Sequence, residues 1–453
     1  VRSRRQRQMC IRDRLSTVAV ALYKPIANED ISSVNQVLAA AKYYYRKTGV
    51  VFLTALCVVA LIYPAVIAQT GFSYLQITYM VLLIGFNGAT QILFIGKYKA
   101  LLMASQKNGI ILSINALSTV LYSGVLIAAA FLKIDVVLGL TIAVGAYLLR
   151  ALAFYVSAKR LFPKYDFSGK RGTVSFPQRA DALTSQILTM ISLNGGTLIL
   201  SFFKASMEEI SVYTTYNLVL SGLFMLMYSV ENSMTSAFGD LLARYTGDKI
   251  RAVYEKFDSI YHMLWTVIIS CLGVLLLPFI RVYTIGVTDI EYILPVEGML
   301  FTMIAAVWML RNQQTLLMTA QGRFKDMRKC MMIEASIVAG IGTLGYLSYG
   351  LKGMLIAKLA GTLYMCGRLM VYNYRNILHM SMTRKFQNVL LSLATILCTS
   401  ILMRYVPIDG SANFADWMFK ACCTFIISLI MTLVAWSIFR KGDMSVIANK
   451  MNK

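Results

Sequence analysis

Twelve runs of mostly apolar residues, separated by short polar connections, recur along the chain: 50–68, 77–96, 109–131, 137–157, 183–203, 211–238, 259–280, 293–318, 331–349, 354–374, 386–403 and 417–438. An α-helix rises about 1.5 Å per residue, so roughly 20 such residues cross the hydrocarbon core of a bilayer. Each run therefore predicts one transmembrane helix, because backbone amides and carbonyls in lipid must find their partners within the segment. With 58% hydrophobic and 14% charged residues, the expected fold class is an all-α polytopic membrane protein.

The connections differ in charge. Alternate ones (15–48, 97–107, 159–179, 244–256, 323–329, 375–385 and 440–453) hold 28 Lys and Arg, whereas the opposite side holds only Lys133, Lys204, Arg281, Lys352, Arg404 and Lys420. Positive loops stay on the cytoplasmic face, which predicts cytoplasmic basic loops and a cytoplasmic C-terminus. The net charge of +23 is thus mainly a topology signal with some attraction to anionic lipid, and nucleic acid is not an expected partner.

Val1 to Arg14 carries six Arg and no apolar period, and reads as a non-native leader rather than a targeting signal. An internal repeat then sets the organisation. Leu101-Leu102-Met103-Ala104-Ser105-Gln106 returns as Leu316-Leu317-Met318-Thr319-Ala320-Gln321; Gly145 to Arg150 with Tyr155 returns as Gly361 to Arg368 with Tyr372; Glu29-Asp30-Ile31 through Val34 returns as Gly247-Asp248-Lys249-Ile250 through Val253. If the halves are copies, the span ending at Met318 is the fourth of its half, while its counterpart at 77–96 has one complete span before it. The expectation is 12 spans present of 14, in two pseudo-symmetric helical bundles around a central cavity. The bundles are 15–157, lacking its first two helices, and 183–385; a cytoplasmic linker spans 158–182, and 386–453 adds two C-terminal spans and a tail. Six spans per half give both halves the same direction across the membrane.

Several chemistries find no support. There is no G-x-x-x-x-G-K-[ST] phosphate loop. Gly340-Ile341-Gly342-Thr343-Leu344-Gly345 matches a dinucleotide fingerprint, yet it lies inside an apolar run without a preceding strand, and reads as close helix packing. His262 and His379 are far apart, and six of the eight Cys fall inside spans with no C-x-x-C, so no metal, cofactor or disulfide framework is expected.

Seven ionisable residues fall inside the predicted spans: Arg150, Glu231, Glu297, Arg311, Glu334, Lys358 and Arg368. Each costs roughly 2.5–3.5 kcal/mol at a helix centre, so they should face water or one another. Arg150, Glu231 and Arg311 stand seven residues, and Arg368 six, from the cytoplasmic ends of their spans, which places four helices' charges in one layer roughly 10 Å inside the boundary. Snorkelling to the interface is the alternative for Arg150 and Arg368. Glu231 has a short stem and polar neighbours Asn232 and Ser233; Arg311 leads Asn312 to Thr315, with Gln314 and Thr315 on its helix face. Glu297 and Glu334, near span ends, are expected at the interface, and Lys358 lies near the outer end of its span. The candidate substrate cavity is therefore Arg150, Glu231, Asn232, Arg311, Gln314, Lys358 and Arg368. Guanidinium groups suit a phosphate-bearing substrate, and Glu231 is the candidate for ion coupling.

Two six-helix halves with two trailing spans, Leu22-Tyr23-Lys24-Pro25-Ile26-Ala27 through Asp30, Glu231-Asn232-Ser233 leading to Gly239-Asp240-Leu241, and Arg311 leading to Ala320-Gln321-Gly322 resemble bacterial polysaccharide biosynthesis proteins. These are the Wzx-type flippases of the multidrug/oligosaccharidyl-lipid/polysaccharide exporter superfamily, and the resemblance spans 15–453. It implies a multi-pass protein of the bacterial inner membrane, a transporter rather than an enzyme. It further implies movement of an undecaprenyl-pyrophosphate-linked oligosaccharide to the outer leaflet by alternating access, with membrane lipids and a polysaccharide polymerase as partners. A cation-coupled multidrug exporter of the same superfamily is the first alternative. A membrane-embedded glycan transferase or ligase is the second, and the longest loops, about 25 residues and basic in character, leave it little catalytic surface.

Overall fold

The structure, a computed structural model, describes residues 18, 21, 22, 25, 26, 28–66, 71–105, 107–166, 179–203, 205–244, 247–287, 290–321, 323–406 and 413–440; within these, the side chains of 108, 179–187, 228–233, 235–237, 239, 240, 243, 244, 324 and 325 lie outside the description. The predicted leader 1–14, and 167–178 of the predicted linker, also lie outside it.

The described residues form helices α1 (Ile31–Val66), α2 (Tyr74–Ala104), α3 (Asn108–Phe131), α4 (Val136–Leu161), α5 (Arg179–Phe202), α6 (Met207–Arg244), α7 (Asp248–Tyr283), α8 (Pro295–Ala320), α9 (Phe324–Ser336), α10 (Gly342–Asn373), α11 (Thr383–Tyr405) and α12 (Phe414–Phe439). A wider π turn interrupts α2 at Gln91–Ile95, and another, Ile337–Ile341, joins α9 to α10. Each predicted span falls on helix. By length and composition nine stretches among the described residues are able to cross a membrane, one of them the 53-residue Asp326–Leu378, which holds two predicted spans. The apolar part of α5 is short (Leu188–Phe202), and the apolar run of the continuous helix α8 is broken by Arg311 to Gln314.

Two predicted starts are corrected. Helix α1 begins at Ile31 rather than 50 and α7 at Asp248 rather than 259, because the basic amphipathic segments before the apolar runs continue as the same helix. Asp30 caps α1 by accepting from the Ser33 hydroxyl at 2.5 Å and the Ser33 amide at 3.0 Å, which holds its carboxyl below the usual carboxylate range.

The chain divides into two compact units, Val1–Thr184 and Ser185–Lys453. In the first, α1 and α2 pack through glycines: a Cβ on Gly85 would meet Leu56, on Gly88 Phe52, and on Gly49 Leu93, all under 3 Å. Small residues admit the facing side chains where lipid supplies no hydrophobic drive to bring helices together. The apolar core of this unit gathers Val34, Leu38, Leu101, Leu102, Phe154 and Ala158. In the second unit one core surrounds Tyr213, Trp265, Phe301 and Leu355, and another surrounds Tyr254, Leu317, Leu369 and Tyr374.

The sequence echoes share local geometry. Leu101 to Met103 and Leu316 to Met318 are buried at helix ends that close alike: the Ser105 and Gln321 amides donate to carbonyls four residues back, then the Lys107 and Arg323 amides donate five residues back. Glu29 and Gly247, each preceding the opening Asp of its echo, both adopt positive φ, 54° and 64°.

Within α10, Tyr349 and Gly350 leave helical geometry, with Gly350 at φ 59°, and the chain doubles back. A Cβ on Gly345 would lie 2.7 Å from the Gly353 carbonyl oxygen, and one on Gly353 would lie 2.1 Å from that of Gly345. The glycines of the 340–345 run thus serve packing, as expected, at Gly342 against Ile199 and at Gly345 against Gly353; nothing approaches Gly340 within 4 Å.

Polarity is inverted relative to a water-soluble protein. Leu75, Leu121, Met225, Leu344, Ile356 and Leu397 are exposed on helix faces, while Arg311, Gln314, Glu334 and Lys385 are buried. The chain is a multi-pass helical membrane protein.

Candidate functional site

Helix α8 runs through both cores of the second unit, Phe301 to Met309 in one and Leu316 to Ala320 in the other. Between them lies Arg311-Asn312-Gln313-Gln314, all buried. Every polar group there needs a partner inside the protein.

Arg311 finds partners on several helices. Its Nη1 donates to Glu334 Oε1 of α9 at 2.6 Å, and reaches Ser192 Oγ of α5 at 3.5 Å and Met365 Sδ of α10 at 3.9 Å. The guanidinium carbon stands 5.8 Å from the centre of the Trp308 ring. Arg311 Nε is buried without a hydrogen-bond partner among the described residues, so the guanidinium retains unused donor capacity.

Lys358 of α10 approaches the same turn of α5. Its Nζ donates to the Leu193 carbonyl oxygen at 3.2 Å and to the Tyr213 hydroxyl of α6 at 3.3 Å. Both partners are neutral dipoles, so the ammonium is solvated without being neutralised. Ser192 and Leu193 thus bring the two predicted cations to neighbouring positions on α5.

In the first unit Arg150 of α4 is 8% exposed and donates through Nη2 to Asn87 Oδ1 of α2 at 2.6 Å. Its guanidinium carbon lies 5.3 Å from the Tyr147 ring centre, Tyr147 stacks on Tyr122, and Lys99 is close enough to Arg150 for the two charges to repel. Arg150 Nε is also buried and unpartnered. Arg150 is thus buried against α2.

Other expectations are revised. Gln314 does not accompany Arg311: its Nε2 reaches Tyr254 at 3.5 Å, and its Oε1 and carbonyl accept from Asn373 Nδ2 at 3.0 and 2.9 Å. It ties α8 to α7 and α10. Arg368 is exposed beside the Cys330 thiol. Glu334 and Glu297 are not at the interface; they are 1% and 6% exposed, with Glu297 Oε1 3.9 Å from Lys352 Nζ. Glu334 is buried because its helix extends back past the apolar run to Phe324, whereas Glu297 lies in the first turn of α8. The side chains of Glu231 and Asn232 lie outside the described residues, and the helix α6 passes through both.

Residues absent from the sequence expectation form a second polar group: Asp258, His262, Gln313, Lys385 and Asn388. Asp258 and Lys385 each sit one residue outside a predicted span, and their one signal is a carboxylate and an ammonium at the margins of apolar runs.

No family model matches the chain, and no curated protein sequence matches it. Its fold is similar to that of a solved structure described as lipid II flippase MurJ in an inward closed conformation, with a TM-score of 0.60 over 96% of this chain and 90% of that one, at 14% identity. The likeness is one of fold, and the chain shares the helical arrangement of that transporter.

Proposed function

We propose that this protein is a flippase of the bacterial inner membrane. It carries an undecaprenyl-pyrophosphate-linked oligosaccharide from the cytoplasmic to the outer leaflet, by alternating access, for surface polysaccharide synthesis. The observation that carries the reading is the buried Arg311, whose guanidinium has an unspent donor and whose counter-ion, Glu334, belongs to another helix. A phosphate offers the same paired oxygens as a carboxylate, and guanidinium stays charged when desolvated, so a diphosphate can take the place of Glu334. Lys358, bonded to neutral acceptors, adds positive charge without a carboxylate among the described residues that competes. The fold likeness to a solved lipid II flippase supports the same class of cargo. A multidrug exporter is less favoured: Glu334, Glu297 and Asp258, the buried carboxylates among the described residues, each face a cation, which leaves none for a cationic drug.

In this reading the basic loops and C-terminus are cytoplasmic, no catalysis is involved, and a polymerase consumes the delivered glycan. Arg311→Ala is expected to abolish complementation of a glycan-export mutant while the protein still inserts in the membrane; undiminished export would remove Arg311 from the mechanism. Glu231 is the proposed coupling group. Transport by Glu231→Gln is expected to lose its dependence on an imposed ion gradient, and persistence of that dependence would eliminate Glu231.

A further inference from the structure

A buried polar cluster joins α7, α8 and α11, apart from the Arg311 pair. Asp258, 3% exposed, accepts on Oδ1 from Lys385 Nζ at 2.6 Å and Gln313 Nε2 at 2.7 Å, and on Oδ2 from Asn388 Nδ2 at 2.9 Å. Lys385 also donates to Gln313 Oε1. One turn along α7, His262 is fully buried, with Nδ1 3.3 Å from Ser392 Oγ. Its Nε2 has no hydrogen-bond partner among the described residues and lies 3.9 Å from Asp258 Oδ1. One residue before Lys385, Arg384 pairs with Glu255 of α7.

Two adjacent cations therefore open α11, with no acidic residue in its first turn. The positive end of the helix dipole disfavours cations there. Glu255 and Asp258, both on α7, offset that cost and fasten the start of α11 to α7.

The charges of the cluster balance as they stand: Asp258 and Lys385 cancel, and a proton on His262 would add a buried charge with no counter-ion. If Lys385 withdraws, Asp258 becomes an unpaired buried carboxylate. In the tautomer whose Nδ1–H donates to Ser392 Oγ, a proton from water on His262 Nε2 then restores neutrality, because that nitrogen is buried, has no hydrogen-bond partner among the described residues and stands 3.9 Å from Oδ1, which a small shift brings into hydrogen-bond range.

We propose that Lys385 and a proton on His262 are alternative counter-ions of Asp258, so that release of the start of α11 from α7 is coupled to uptake of one proton. Of the other ionisable groups on the elements packed against α7, Tyr254 and Tyr374 lie near enough to act on Asp258 and Cys366 on Lys385, and the rest point elsewhere. Arg440, following α12, donates to Asn388 Oδ1 and Gln387 Oε1, and Asp416 and Lys420 stand at the opposite end of α12. Arg311 leaves the opposite face of α8 toward Glu334. Tyr254 and Tyr374 meet edge to face a turn before Asp258. On α6 the side chains of Glu231, Asp240 and Arg244 lie outside the described residues. The inference is independent of the transport reading, since it concerns a seam within the second unit.

The chain has two histidines, so a His379→Gln background leaves His262 as a single reporter. Isotopically labelled histidine, followed by NMR in lipid nanodiscs, is expected to show His262 neutral in this parent over a pH range in which Lys385→Met gains a proton on it; Lys385→Gln serves if the Met variant does not fold. Equal titration in parent and variant, or a neutral His262 in both, would overturn the proposal. Hydrogen exchange gives the second readout. On acidification the protection factors at the start of α11 are expected to fall by up to about tenfold per pH unit, the limit for one linked proton, and His262→Gln is expected to abolish the fall. No fall in the parent, or the same fall in His262→Gln, would contradict the linkage.

Discussion

Arg311 and Glu334 show how a single pair reconciles a charged residue with a membrane interior. At 2.6 Å, with both side chains almost fully buried, each charge is the other's solvent. Removing one partner strands the other, at a cost of about 3–5 kcal/mol, whereas replacing both with apolar groups of similar volume costs little. Thermal unfolding in detergent is therefore expected to place Arg311→Met and Glu334→Leu each well below the parent and the double variant close to it; a double variant as unstable as the sum of the singles would deny the pairing. Arg311 was legible in the sequence because it leads a polar patch, Asn312 to Thr315, inside an apolar run. Its partner was not, since Glu334 lies near the start of its run and only the helix continuing back to Phe324 buries it. Asp258 and Lys385 escaped for the same reason, because hydropathy marks where lipid begins and not where packing does.

At the scale of elements, the runs of apolar residues located the helices, and the glycines decided how some of them meet. The two arms of α10 approach backbone to backbone at Gly345 and Gly353, where any side chain displaces a carbonyl rather than a flexible neighbour. Gly353→Ala is expected to splay the hairpin and destabilise the second unit by at least about 1–3 kcal/mol, the usual cost of overpacking, read as a lower melting temperature. An unchanged melting temperature would show that the approach is slack. The sequence exposed these glycines as a packing run but not their partners, since close approach depends on the turn at Gly350, whose positive φ is a three-dimensional requirement. Helix starts were legible only up to the polar margin: the basic segments opening α1 and α7 look like loops to a hydropathy reading and fold as helix because their apolar residues keep a helical period.

Across the whole molecule, alternating basic loops, a repeated helix-end motif and polar residues turned inward all describe a multi-pass helical membrane scaffold. Its fold is similar to that of a solved flippase at an identity of 14%, a level at which the arrangement of helices persists after the residues have diverged. The substrate class rests on the proposal that buried guanidinium and ammonium groups receive a diphosphate. The direct measurement is leaflet reversal in proteoliposomes carrying an undecaprenyl-diphosphate-linked oligosaccharide on one leaflet, with labelled phosphatidylglycerol as the control lipid. The account predicts that the protein speeds reversal of the diphosphate-linked glycan and not of the control lipid, and that the apolar double variant Arg311→Met with Glu334→Leu, folded but without the guanidinium, does neither. Equal reversal by parent and double variant, or no reversal by the parent above that of protein-free liposomes, would contradict it.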